Sequence, residues 1–307
     1  PLYQQWGGVV PRLARQSHEQ HIDQTIELAL KHAHIDFSQL DAIAVTQGPG
    51  LAITLEVGIA KAKELSKRWN TPLVAVNHME GHLLSVLANG KQIPFPSLAV
   101  LVSGGHTEFV LAKEIGKYEV VGSTQDDAMG EAFDKVGRML GLGYPAGALI
   151  EQFAKRGSPG AVVFPIPMRG VKNANTSFSG LKTAAMRVVE ELKVKRGGQL
   201  TTQDIYNVAL AFQVACITHL REKLQFALER DDVCALTLGG GVAANMQVRK
   251  MLRDVARAQG IPCFVPYTKK LCVDNAAMIA IAGFFKAKQS AFVTEEDELD
   301  RKPIWSL

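Results

Sequence analysis

The sequence is poor in cysteine. Its 307 residues hold four, Cys216, Cys234, Cys263 and Cys272, and none stands in a C-x-x-C arrangement. That excludes a disulfide-stapled scaffold and a cysteine-rich zinc fold, and predicts reduced core cysteines of a cytosolic protein. Long hydrophobic runs are missing too: the longest, Ala276 to Phe285, is about ten residues, well short of a membrane span. No Gly/Ser-rich or Pro-rich linker and no block of like charge interrupts the chain, so disorder is expected only at the tail. Nothing at the amino end resembles a secretory signal, and the expected location is a bacterial-type cytoplasm. What is present is 47% hydrophobic and 21% charged residues with a net charge of +4, the balance of a globular enzyme. The charge permits an RNA partner without requiring one. The length suggests two domains or lobes.

The stretch Thr71 to Leu87, TPLVAVNHMEGHLLSVL, carries the clearest chemistry. Leu73 to Val76 is a short apolar strand led by Pro72, and it runs directly into a helix bearing His78 and His82. Residues four apart share a helix face, so the two imidazoles form half of a metal site that needs a ligand from elsewhere. The competing role is a strand-end histidine and an ordinary helix histidine. Glu80 lies between them in H-x-E-x-H, off the histidine face by roughly 100° per residue, and is badly placed for the base of an H-E-x-x-H metalloprotease.

In order, the pattern predicts a helix at Arg12 to His34 with a solvated face bearing His18, His21, His32 and His34. A strand at Asp41 to Thr46, the turn Gly48-Pro49-Gly50 and a helix from Ile53 to Trp69 lead to the histidine segment. A hairpin follows, from Ser97 to Ser103 and back over Glu108 to Ala112 around Gly104-Gly105, and the sheet continues at Tyr118 to Gly122. Helices are expected at Asp126 to Leu140, Ala148 to Lys155, over SFSGLKTAAMRVVEEL, and at Thr201 to Arg230 with a cap signal at Thr202. The chain closes with a strand at Ala235 to Leu238, the turn Gly239-Gly240-Gly241, a helix at Ala243 to Gln259, a strand at Ile261 to Val265 and a helix from Asp274. The acidic TEEDELDRKPIWSL reads as a solvated or loosely docked tail.

Ala44 to Ala52 and Ala235 to Ala243 match as A-x-T-x-G-x-G-aliphatic-A, and the elements after each follow the same order. A unit used twice suggests two similar α/β lobes around a cleft. A pseudo-twofold would then set the start of the Asp274 helix opposite the start of the His78 helix, with Asp274 as third ligand; its competing role is the N-cap of its own helix. The turns Ser103-Gly104-Gly105-His106-Thr107 and Gly239-Gly240-Gly241 would let backbone approach a phosphate, and with a metal they suggest a nucleotide. Asp134 and Asn245 suit ribose hydroxyls or a base edge, or are plain surface helix residues. Lys182 reads either as a phosphate contact or as an ordinary exposed lysine.

The motifs HMEGH, TQGPGL, LVSGGHTEFV, GEAFDKVGRMLGLGYP, FSGLKTA, GGGVAANMQVR and VDNAAMIA, in this order, closely resemble the TsaD-type catalytic subunits of tRNA threonylcarbamoyladenosine synthase, once labelled glycoprotease. The likeness runs from Gly7 to about Phe285. It implies an α/β, two-lobed actin-like or Hsp70-like ATPase fold of duplicated ribonuclease H-like domains, with a first lobe at 1–96 completed by 274–307 crossing back. A second lobe with a helical insertion would span 97–273. It implies transfer of the threonylcarbamoyl group from threonylcarbamoyl-AMP to the exocyclic amine of the adenine 3′ of the anticodon in tRNAs reading ANN codons. Carried over by position, the metal ligands are His78, His82 and Asp274, for one divalent ion, Fe2+ or Zn2+. Substrate contacts fall on Leu101, Val102, Ser103, Gly104, Gly105, Asp134, Gly147 and Asn245, joined by Gly239 and Gly240 of the second glycine turn, in a pocket that would also take ATP, ADP or AMP. Implied partners are tRNA, a paralogous same-fold subunit and an ATPase, or a second copy in a homodimer, with no membrane.

The family opens on a strand and an acidic E-T-S-C-D-D-T-like turn with no counterpart here, so the first lobe is expected to lack opening strands and the chain to be impaired alone. Arg12 replaces the usual Glu after GGVVP, Ala146 replaces the first glycine of YPGG, and Ile53 and Glu56 are unusual after GPGL. The alternatives are a metal- and nucleotide-binding scaffold and, behind it, a metalloprotease.

Overall fold

The computed structural model describes residues 8–229, 232–295 and 299–307. In chain order its helices are α1 (Pro11–Ala33), α2 (Ala52–Trp69), α3 (His78–Leu84), α4 (Met129–Met139), α5 (Gly147–Ala154), α6 (Ser179–Lys195), α7 (Thr202–Leu228), α8 (Met246–Ala258) and α9 (Ala276–Lys288). The strands are β1 (Ile43–Gly48), β2 (Leu73–Asn77), β3 (Ser97–Val102), β4 (Thr107–Glu114), β5 (Lys117–Ser123), β6 (Ala235–Gly239) and β7 (Cys263–Phe264). They fall into two compact units: Val9–Ala88 with Asn275–Leu307, and residues 89–274. Among the described residues no helix is long and apolar enough to cross a membrane.

The first unit is built on a two-stranded parallel sheet in the register Ile43↔Leu73 to Thr46↔Val76. Helix α9 is apolar on most of its circumference, so it packs against β1, β2 and α3 together. Small residues permit this approach. A Cβ at Gly283 would run into Ala44, and one at Gly81 would sit 3.0 Å from Ile279 Cδ1. The helix that begins after Asp274 therefore lies alongside the histidine helix in one unit. This corrects the expectation that the two face each other as equivalent members of a repeat across a cleft.

The tail also departs from expectation. Positions 296–298 lie outside the described residues, but Leu299 is buried with Val45, Ile59 and Leu73. The Lys302 amide donates to the Gln47 carbonyl at 2.8 Å, Gln47 Nε2 donates to the Asp300 carbonyl at 2.9 Å, and the Val293 amide donates to the Leu73 carbonyl at 2.9 Å. The reason is the small sheet: among the described residues both of its strands are edges, and their outward backbone groups need partners. Gly48 makes the docking possible, since a Cβ there would collide with the Lys302 carbonyl. Glu56, unusual for the family, holds Arg301 at 3.0 Å and Arg15 at 3.5 Å.

The second unit has a five-stranded sheet in the order β5-β4-β3-β6-β7. The central strand β3 is antiparallel to β4 and parallel to β6, and all six of its residues are buried, as a strand covered on both faces requires. Beneath it, Phe212 packs edge-to-face with Phe133 at 5.3 Å and with Phe164 at 6.4 Å.

Several boundaries shift for local reasons. Helix α4 begins at Met129, not Asp126, because the Asp126 carboxylate is spent on the start of α6. Thr201, not Thr202, caps α7, in a capping box with Asp204; Arg230 lies outside the described residues. The helix expected from Ala243 is a 3-10 turn, Gly241–Ala244, followed by α8, and β7 is two residues long. Cys216 and Cys272 are buried as expected, whereas Cys263 is half-buried and Cys234 is exposed.

Candidate functional site

Strand β2 delivers α3 without a loop: Asn77 ends the strand and caps the helix, its Oδ1 accepting the Met79 amide at 2.8 Å. Position 78 is thus pinned at the carboxyl end of a parallel strand, where open α/β sheets carry their sites. The His78 and His82 rings lie 4.7 Å apart at 87°, and His82 is fully buried. A nitrogen from each and a carboxylate oxygen of Asp274 come within 4.8 Å of one another. The competing role of Asp274 is taken by its neighbour, since Asn275 is the N-cap of α9 and accepts the Met278 amide at 2.9 Å. Two imidazoles and one carboxylate are a donor set that suits a divalent ion such as zinc or ferrous iron. Glu80 is only 4% exposed and pairs with Lys286 Nζ at 3.6 Å, which removes it as a water-activating base.

The residues anticipated for a substrate fall into three groups, all in the unit of residues 89–274. In the first, Leu101 and Val102 are buried at the end of β3 beside β6, with Leu101 paired to Gly239. Gly240, at φ 88°, lies so close to β3 that a Cβ would strike the Val102 carbonyl, so only glycine fits both the angle and the space. Ser103 Oγ accepts the amides of Gly105 at 3.3 Å and His106 at 3.0 Å, which closes the turn and leaves Gly104 and Gly105 exposed with open space around them.

In the second group, Asp134 is neither a plain surface residue nor solely a ligand contact. Its Oδ1 accepts the Ala146 amide at 2.8 Å at the start of α5, bringing it beside Gly147. Burial pushes the Asp134 carboxyl up, and the amides of Ala146 and Gly147 only partly offset this. Ala146, a departure from the family motif, is fully buried against Gly137, whose missing side chain makes room for its methyl group.

The third group is Asn245. It stands one position ahead of α8 as its cap, with Oδ1 accepting from Gln247 and Val248 and Nδ2 donating to Gln213 Oε1 at 2.9 Å. Helix α4 meets the Gly241–Ala244 turn, which joins the second group to the first. A cavity of 520 Å³ between α5, α7 and α8, lined in part by Lys155, Gln213, Arg221 and Lys250, contains none of the anticipated residues and adjoins Asn245 through Gln213 and Gln247.

Lys182 is ion-paired with Asp127 at 2.8 Å, beside Lys135 at 2.7 Å, so its reading as a phosphate contact gives way to a structural one. Sequence reasoning missed Asp126, which accepts from Ser177 Oγ at 2.5 Å, Ser179 Oγ at 2.6 Å and the Phe178 amide at 2.8 Å. Burial would raise its carboxyl, but these donors outweigh that and hold it below the usual carboxylate range. It also missed Arg249, whose guanidinium is buried on α8. An arginine at the fourth position of a helix whose neighbours Val248, Met251 and Leu252 are apolar was the available signal.

The family model described as tRNA N6-adenosine threonylcarbamoyltransferase matches residues 1–281. A protein of that name from Dictyoglomus turgidum is 42% identical over 284 residues, covering 92% of this chain and 83% of its own length. Among solved structures, full-length HypF in a phosphate- and nucleotide-bound form superposes with a TM-score of 0.61 at 12% identity, over 90% of this chain and 42% of that one. Component A of the (R)-2-hydroxyglutaryl-CoA dehydratase of Acidaminococcus fermentans gives a TM-score of 0.50 at 12% identity, over 88% and 84%. These two likenesses show the α/β fold of the actin-like ATPase class. The sequence matches, over more than nine tenths of the chain, make the assignment: the chain belongs to the TsaD family of tRNA N6-adenosine threonylcarbamoyltransferases.

Proposed function

We propose that this chain transfers the threonylcarbamoyl group from threonylcarbamoyl-AMP to the exocyclic amine of the adenine 3′ of the anticodon in tRNAs reading ANN codons. The observation that carries this reading is that the family likeness spans the segments that bring His78, His82 and Asp274 within 4.8 Å. The amine nitrogen attacks the carbamoyl carbon, the new N–C bond forms, the C–O bond to the phosphate breaks, and AMP leaves with that electron pair. The proton lost from the amine passes to water or to the departing phosphate. An aromatic amine is a weak nucleophile, so holding it against an activated mixed anhydride supplies much of the rate.

His78, His82 and Asp274 would hold one divalent ion, Fe2+ or Zn2+, which when bound supplies positive charge for phosphate or carbonyl oxygen. Gly104 and Gly105 leave their backbone open to a phosphate. Leu101, Val102, Gly239 and Gly240 would form the wall beside it, and Asp134, Gly147 and Asn245 would meet the nucleoside. HypF, a distant fold relative, is described as phosphate- and nucleotide-bound, which supports a nucleotide pocket in this fold. The expected setting is the cytoplasm, with tRNA, a same-fold partner subunit and an ATPase, or a second copy of the chain, as partners.

The test is transfer of radiolabelled threonine to an ANN-decoding tRNA, with the adenylate-forming enzyme and bacterial partner subunits supplied. Transfer is expected to fall at least ~100-fold in His78→Ala, with the melting temperature little changed. Equal transfer by both proteins would sink the metal-dependent reading. Nucleotide and metal binding with no transfer by either would leave a scaffold.

A further inference from the structure

The cavity between α5, α7 and α8 has a frame held by the chain's own bonds. A Cβ at Gly157 would run into the Tyr206 carbonyl, so the chain leaving α5 lies close on α7, where the Ser158 amide donates to Asn207 Oδ1 at 2.9 Å. The Met246 amide, at the start of α8, donates to Glu151 Oε1 on α5 at 2.8 Å. The 520 Å³ left between the three helices is within the range of small-molecule pockets, and it lies wholly inside the unit of residues 89–274.

One buried side chain in its wall has a donor to give. Gln213 is only 5% exposed, and its orientation is set from behind. Asn245 Oδ1 accepts two backbone amides, of Gln247 and Val248, so Asn245 must donate through Nδ2, and Gln213 must receive that bond on Oε1. The Nε2 end of Gln213 is thereby turned away from Asn245, and among the described residues nothing accepts from it. A buried amide donor left unmade is costly, so this position calls for an acceptor.

The charges around the cavity call for the same thing. Lys155 at the end of α5, Arg221 on α7 and Lys250 on α8 line it, and among the described residues no carboxylate pairs with them. The two carboxylates of the lining have partners of their own: Glu151 accepts the Met246 amide, and Asp254 pairs with Arg257 at 3.4 Å. The apolar part of the wall includes Ile217, Met251 and Val214, the last 53% exposed. Gln213, Ile217 and Arg221 follow one another every four residues along α7, so amide, apolar contact and guanidinium share one face.

We propose that this cavity is a separate ligand site, built for a small organic anion. A carboxylate or phosphate oxygen of the ligand accepts from Gln213 Nε2 beside the cations Lys155, Arg221 and Lys250, and its apolar body lies on Val214, Ile217 and Met251. The fork of Arg221 suits either head group, because both present paired oxygens. The site stands whether or not the nucleotide and metal readings above do, since it uses none of their residues.

The experiment titrates the full chain with octanoate, octyl phosphate and octylammonium by calorimetry, and follows the methyl signals of Ile217 and Met251 by NMR to locate the probe. At least one of the two anions is expected to bind with a Kd of about 100 μM and to shift both methyl signals, and the tighter of the two shows which head group the site prefers. Octylammonium, with the same chain and the opposite charge, should bind at least ~10-fold more weakly. Gln213→Glu keeps an oxygen for Asn245 and replaces the donor with a negative charge, so the anion should weaken at least ~10-fold. Arg221→Glu changes an exposed side chain and should weaken the anion several-fold, by roughly fivefold, at an unchanged melting temperature. If Gln213→Glu fails to fold, Arg221→Glu and Lys250→Glu decide. No binding of either anion, equal binding of octylammonium, binding that leaves the Ile217 and Met251 signals in place, or an affinity undiminished in the folded variants overturns the proposal.

Discussion

The two units solve the same problem with different means. In residues 89–274 the central strand β3 has hydrogen-bonded neighbours on both sides, and its six residues are buried beneath helices. In the other unit, among the described residues, β1 and β2 pair only with each other, and the segment after α9 supplies what further strands would: Val293 on β2, Lys302 on β1, and Leu299 in the core. A sheet of five strands protects its own interior. A sheet of two depends on chain that arrives from 220 to 255 positions away, and the histidine pair is mounted on this second kind of support.

The largest effect that would separate the two is in the five-stranded unit. Phe212→Ala removes a fully buried ring from its contacts with Phe133 and Phe164, and a loss of about 4 kcal/mol is expected in urea unfolding. Hydrogen exchange should quicken in β3 and β6 and hardly change in β1 and β2. Leu299→Ala is the complementary break, with about 3 kcal/mol expected and the acceleration confined to β1 and β2. Uniform loss of protection in either variant would mean that the units do not open separately.

The smallest expected effect depends on pH. His219 is fully buried and accepts the Ser177 amide through Nε2 at 3.1 Å, and burial, with Lys223 nearby, lowers it from 6.5 to about 4. The unfolded chain therefore binds the extra proton between those values, so the contribution of His219 is complete above pH 6.5 and is lost as the pH falls toward 4. On the order of 2 kcal/mol is at stake. His219→Gln should flatten the difference in urea midpoint between pH 7.5 and pH 5, and an unchanged slope would show that the ring is not held neutral.

The regular elements were legible because each carries its own period and punctuation. Leu73 to Val76, Ser97 to Ser103 and Ala235 to Leu238 were placed within a residue or two, and the histidine spacing alone put both rings on one face. The errors share one cause, which is that short polar side chains choose partners by what is near in space. Asp126 left the start of α4 to serve Ser177 and Ser179. Asn275 took the cap and relieved Asp274. Asn245 became a cap bonded to Gln213. The acidic composition of the tail suggested solvent, while a single apolar residue in it, Leu299, and its backbone amides found a sheet with unpaired edges.

By itself the sequence determined the elements, the glycine turns and the motif order that places the chain in its family, since these follow from local sterics, hydrophobic period and residue identity. Only the tertiary structure decided that α9 lies beside α3 and that the turn at Gly240 lies against β3. Those outcomes depend on close approach between distant backbones, at Gly81, Gly283 and Gly240. A one-dimensional pattern records that glycine is present, and not which surface it lets in.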